Sequence, residues 1–186
     1  MKPQVKTTTV TRQREKELFF MIAPPRHIIS DVSVLKDDVQ YLVGRELKDR
    51  HVRAHVSLFQ YTHDDVHMKH MMRFVEARAA ELSPFNVFLK DFGVFYNGAQ
   101  RSIYLDIVNK YHIQELFERI VKEEPAYIPN ISIAKNLSNE DFLKCWPYLK
   151  SLNYSNQHFL CDRITVLLRE GNTWTHCKDI MLGTGN

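Results

Sequence analysis

Cysteine is scarce in this chain. Cys145, Cys161 and Cys177 lie far apart among 186 residues, without a C-x-x-C pair. An odd, scattered set argues against a disulfide framework or a cysteine-based zinc site and fits reduced thiols. Long apolar runs are missing too: none approaches the roughly 20 residues that span a bilayer. The opening stretch, MKPQVKTTTVTRQREKE, is polar and basic with no apolar signal core. Residues 1–16 are expected to be a disordered leader on a soluble, cytoplasmic protein. Charge of one sign is also lacking, since 25 Lys and Arg face 22 Asp and Glu, a formal net of +3. That excess is too small to indicate nucleic-acid binding by itself, yet it does not oppose a phosphate-bearing ligand.

What is present is material for a core: 44% hydrophobic residues in a chain long enough for one domain of two lobes. The apolar run Leu18 to Ala23, stopped by Pro24 and Pro25, reads as a buried strand. Val34, Leu35, Val39, Leu42, Val43 and Leu47 follow at helical spacing, with Ser33 as a candidate cap. The strand RAHVSLF comes next. Thr62 and Asp65 then form a capping-box pattern for a helix to about Leu82, and FNVFLKDFGVFY follows as a strand, turned at Asn97 and Gly98. The order begins again: strand RSIYLDIV, helix YHIQELFERIVKE, strand IPNISIAK, a cap at Ser138 with Asp141, a helix kinked or interrupted at Pro147, and the strands HFLCDRITVLLRE and TWTHCKDIML.

Two passes of the same elements imply a duplicated unit, with repeat halves of about 17–98 and 99–182 inside a single bilobal domain over 17–186. The core of the repeat is a strand: AHVSLFQ (54–60) recurs as PNISIAK (129–135). Side chains two apart share a strand face. His55 therefore faces with Ser57, and Asn130 with Ser132, while Val56, Leu58, Ile131 and Ile133 point to the core. If the two strands lie side by side, their polar pairs converge. An imidazole moves protons near neutral pH, and a serine hydroxyl binds a phosphate oxygen without titrating.

Paired strands of this pattern resemble those of the 2H phosphoesterase superfamily, the 2′–5′ RNA-ligase-like proteins. The resemblance spans nearly the whole chain. It implies a bilobal α+β fold, with two antiparallel sheets lining a central groove, helices outside and an internal pseudo-two-fold. It implies action on 2′,3′-cyclic phosphates, cyclic nucleotide phosphates or 2′–5′-linked oligonucleotides, without metal or other cofactor. By the same resemblance His55 is a catalytic histidine, and Ser57 and Ser132 are phosphate-binding hydroxyls. Position 130, histidine in that pattern, is asparagine here. Asn130 can hold a phosphate oxygen but cannot move a proton, and losing one general acid or base costs ~10² to 10⁴ in rate, roughly 3 to 5 kcal/mol. The implied partners are RNA ends or small nucleotide phosphates, bound by a monomer with no membrane and no obligate protein partner.

Arg53 shares the face of His55 and is a candidate phosphate or base contact. Strict alternation aims Lys135 away from Ser132 and ranks it lower. Of the strand aromatics Phe59, Phe92, Phe95, Tyr96 and Tyr104, most are expected in the core, with Tyr96 best placed for exposure. His63, His67 and His70, with Asp64, share a helix face and could suggest a metal site; solvated helix-start residues are the favoured reading. His158, a conceivable substitute proton donor, is expected at a strand end in water.

Overall fold

The computed structural model describes residues 16–121 and 127–183; the expected leader, apart from Lys16, lies outside them. The elements run β1 (Lys16–Ile22), α1 (Arg26–Val43), β2 (Val56–His63), α2 (Asp65–Ala80), β3 (Phe85–Asn97) and β4 (Gln100–Ile107). They continue with α3 (Lys110–Ile120), β5 (Ile131–Leu137), α4 (Asn139–Ser151), β6 (His158–Cys161), β7 (Arg163–Glu170) and β8 (Thr173–Met181). The α+β class and the repeated order of elements are as expected.

The strands form one eight-stranded order, β6-β3-β4-β5-β2-β1-β7-β8. Its two halves meet at the motif strands, where β2 and β5 are joined antiparallel through Val56 and Ile131. From that seam outward, β2-β1-β7-β8 mirrors β5-β4-β3-β6. Each sequence half therefore sends a strand to the other half's sheet: β3 of the first pairs with β4, and β7 of the second with β1. Sequence halves and spatial lobes are thus different divisions of the chain. A single residue, Asp162, links β6 at one edge to β7 six places along, so the sheet must curl back on itself.

Below the seam the core is aliphatic. Val56 and Ile131 are fully buried, Ile133 and Leu58 nearly so. Each is worth roughly 1.5–3 kcal/mol of burial and fixes which face the polar residues occupy. α1 packs on α4 and β5, α2 on α3, β2 and β8, and α4 also covers β3 and β4. Among the described residues no helix is long and apolar enough to cross a membrane.

Several local expectations are corrected. α1 begins at Arg26 rather than near Ser33, because Pro25 serves as its N-cap; proline suits a helix start, where its missing N–H would have no partner. The buried stripe accordingly includes Ile28 and Val32. α2 is capped by Asp64, not Thr62: its carboxylate accepts from the Val66 and His67 N–H groups, and β2 runs on through Thr62. Ser138 caps α4 as expected, accepting from the Asp141 N–H. α4 is continuous through Pro147. HFLCDRITVLLRE is two strands, since Asp162 is the crossing between lobes.

Candidate functional site

The seam places the polar residues. With Val56 paired to Ile131 in antiparallel sense, His55 stands across from Ser132 and Ser57 across from Asn130. A cavity of about 270 Å³ opens over them, lined by His55, Ser57, Asn130, Ser132, Tyr104 and Lys135 among others. A wider one of about 870 Å³ adjoins it, sharing His55, Ser57 and Lys135 and adding Arg53, Phe19 and Trp174. The four motif side chains are thus brought together. Arg53 lines the wide cavity but not the narrow one, as an exposed side chain.

His55 is held at both ring nitrogens. Nδ1 lies 2.7 Å from the Arg53 carbonyl and Nε2 3.0 Å from the Ser57 hydroxyl. A carbonyl only accepts, so Nδ1 carries the hydrogen and the neutral ring turns its Nε2 lone pair to the cavity, where Ser57 O–H donates to it. The Phe19 ring lies nearly perpendicular to it, the ring centres 5.2 Å apart. Burial lowers the imidazole pKa below its ordinary 6.5, with the positive charges of Lys135 and Lys36 acting the same way against the opposing Arg53 hydrogen bond. Burial thus favours the neutral ring, the state a general base requires.

Asn130 copies half of this arrangement. Its Nδ2 donates to the Ile128 carbonyl at 2.8 Å, as His55 Nδ1 donates to Arg53: in each case the anchor lies two residues back. Asn130 thus has the inward hydrogen bond but no titratable nitrogen to present to the cavity. Tyr127 ties the lobes together, its hydroxyl donating to the Ser57 carbonyl at 2.6 Å; burial raises its pKa, so it stays a neutral donor.

The duplication extends to an irregularity. In β2, the pairing to β1 steps from Phe59 to Ser57, leaving Leu58 as an extra residue. In β5, the pairing to β4 steps from Ala134 to Ser132, leaving Ile133. Leu58 and Ile133 hold the same place in the two copies, three residues after His55 and Asn130. Such a bulge breaks alternation, so Ile133 and Ala134 are both buried and Lys135 returns to the groove face. This corrects the lower rank given to Lys135: it lines both cavities, and Gln60, its equivalent in the first copy, lines the wide one.

The aromatics divide differently from expectation. Phe95 and Tyr104 stack at 4.2 Å and wall the narrow cavity. Tyr104 lies flat across β3 because residue 93 is glycine; a Cβ there would meet the ring at 2.5 Å. Phe59 stacks on Phe20 and faces the wide cavity, and Phe92 packs against the core. Tyr96 is 70% exposed but lies beneath Arg101 beyond the lining of both cavities. Phe19 and Trp174, 5.7 Å apart, escaped sequence reasoning. Alternation within LFFMIA, which buries Phe20 and turns Phe19 outward, was the available signal.

His63, Asp64 and His67 do cluster, but helix capping occupies them. His63 Nδ1 accepts the Asp64 N–H, and Asp64 Oδ1 binds two backbone N–H groups and the His67 ring. These hydrogen bonds, those from His67 foremost, hold the Asp64 carboxyl at about 2. His158 stacks on Phe88 on the edge strand β6, far along the sheet from β2.

The model of the 2′-5′ RNA ligase superfamily matches residues 24–173, most of the chain and both motif strands. The chain belongs to the 2′-5′ RNA ligase superfamily. Solved structures agree in fold. TT0787 of Thermus thermophilus superposes with a TM-score of 0.64 at 14% identity, covering 91% of this chain and 98% of that one. E. coli LigT in apo form gives 0.60 at 13%, covering 91% and 99%. Kluyveromyces marxianus Usb1 with uridine monophosphate gives 0.56 at 12%, covering 90% and 98%. At these identities the likeness is one of fold. No curated protein sequence matches the chain.

Proposed function

We propose that the groove binds the phosphate of a 2′,3′-cyclic phosphate or a 2′–5′-linked nucleotide and cleaves it slowly, with His55 as its one imidazole base. The observation that carries this reading is the seam: His55 Nε2, Ser57, Ser132 and Asn130 meet over one small cavity. Ser57, Ser132 and the second Asn130 N–H would hold the non-bridging oxygens, and Lys135 would offset their charge. Water attacks phosphorus and gives its proton to His55 Nε2; the P–O bond opposite breaks, and the leaving oxygen takes a proton from solvent. Among the described residues no second imidazole lines the narrow cavity, where Asn130 stands opposite, so the leaving oxygen has no paired histidine as acid and turnover is slow. The wide cavity, with Phe19 and Trp174, suits a nucleobase. Structural neighbours solved with 3′-AMP and with NADP+ are consistent with nucleotide-sized ligands for this fold.

The anchoring of Asn130 favours one alternative, a module that binds an RNA end or nucleotide phosphate without turnover, because everything needed for grip is retained. Incubation with cyclic phosphates and 2′–5′ dinucleotides, with products resolved by chromatography, separates the two. Slow product formation that disappears in His55→Ala supports the enzyme. Binding by calorimetry with no product supports the module. A rate unchanged in His55→Ala contradicts the mechanism.

A further inference from the structure

A charged residue lies in the core directly behind the site. Lys36 is 3% exposed on the buried stripe of α1, among Val32, Leu35 and Val39. A buried ammonium is costly unless its hydrogens are used. Nζ donates to the carbonyls of Asp49 at 3.1 Å and Val52 at 2.6 Å, both in the turns that lead from α1 into β2. The Val52 carbonyl belongs to the peptide immediately before Arg53. The next carbonyl, that of Arg53, is the one that takes the His55 Nδ1 hydrogen.

The second copy repeats the clamp without the charge. Gln114 of α3 donates through Nε2 to the Tyr127 carbonyl at 2.9 Å. Tyr127 stands three residues before Asn130, as Val52 stands three before His55. Each half therefore pins the same carbonyl from its own helix. The half that carries an imidazole uses an ammonium, and the half that carries an amide uses an amide.

We propose that Lys36 is a positioning residue for His55: its buried ammonium clamps the Val52 carbonyl, and through the next peptide fixes the Arg53 carbonyl that holds the ring with Nε2 in the groove. This rests on the reading of His55 as the working base. The ammonium has a second effect. Its charge, with that of Lys135 from β5, disfavours the imidazolium, while the Arg53 carbonyl opposes both. The Ser57 hydroxyl and Phe19 of β1 touch the ring, and Arg53, His51 and His176 line the wide cavity that it shares. Lys36 is itself held by burial below its ordinary 10.5, against the pull of Asp49.

The test is read on the imidazole, in intact protein without substrate, by long-range ¹H–¹⁵N spectra of labelled histidine across pH. Turnover plays no part in it, so its failure is distinguishable from failure of the functional reading. The wild type is expected to show His55 in the Nδ1–H tautomer with a midpoint below 6.5. Lys36→Gln, which transplants the donor of the second copy, should keep the tautomer while the midpoint rises toward 6.5. Lys36→Met should give a mixture of tautomers. A merely structural role would lower Tm and leave the tautomer and midpoint as they were, and that outcome overturns the proposal. Should Lys36→Met not fold, Lys36→Gln decides: a raised midpoint supports it and an unchanged one refutes it. A wild-type ring in the Nε2–H tautomer refutes it without any variant.

Discussion

Two strands of this molecule began as one pattern and differ in one chemical capacity. β2 and β5 share an inward anchor two residues before the motif position, a serine two residues after it and a bulge one residue beyond that. Each is pinned at the same carbonyl by its own helix. What separates them is the ring. His55 presents a second nitrogen to the cavity, and Asn130 ends at its anchor. On the proposed reading, geometry for gripping an anion and chemistry for moving a proton are separable: both strands keep the first, and only β2 carries the second.

Making the halves alike tests this with the largest effect. His55→Asn should keep the fold and lose ~10² to 10⁴ of whatever turnover exists, whereas Asn130→His should gain within the same range and add a second limb to the pH–rate profile. Both are read as product formed over a pH series. If neither change moves the rate, the comparison has no catalytic meaning.

The apolar side of the seam should be worth about as much to stability as the polar side is to rate. Ile131→Ala removes a fully buried side chain and should cost about 2–5 kcal/mol in a denaturant titration.

Lys135 and Gln60 occupy the same place in the two copies, yet one is charged. Lys135→Gln is expected to weaken binding of a nucleotide phosphate about 10-fold, with the loss shrinking as salt rises. Gln60→Ala should change affinity little. Calorimetry at two ionic strengths distinguishes them.

The smallest effect is on pH. The His55 midpoint is lowered in the folded state, so the unfolded chain takes up its proton first as pH falls. The folded state accordingly loses stability as pH drops from about 6.5 through the lowered midpoint, and is unaffected above it. His55→Asn should flatten that part of the stability curve relative to wild type. By the same sign, the rate should rise with pH through the lowered midpoint and then level.

Much of this was legible in the sequence, because the features that carry it are local. Period-two alternation placed His55 with Ser57 and Asn130 with Ser132, and the repeated order of elements implied the pairing that brings them together. What depends on distant contacts was hidden. The Ile133 bulge arises from pairing with β4 and reverses the side to which Lys135 points. The crossing from β6 to β7 splits the expected strand HFLCDRITVLLRE at Asp162. Lys36 drew no notice beside Leu35 in the helical stripe, and only the loop folded over it shows what its hydrogens hold. Two helix starts were misjudged by composition: Ser33 and Thr62 are cap-type residues, but α1 starts after Pro25 and it is the Asp64 carboxylate that takes the first N–H groups of α2.

The central claim is that side chains from both strands close on one bound anion. Titration with a 2′,3′-cyclic nucleotide, followed by the amide resonances of Ser57 and Ser132 and the imidazole of His55, tests it most directly. All three should shift together along one saturation curve with a single Kd. Shifts confined to β2, with Ser132 and Asn130 unmoved at saturation, would contradict it.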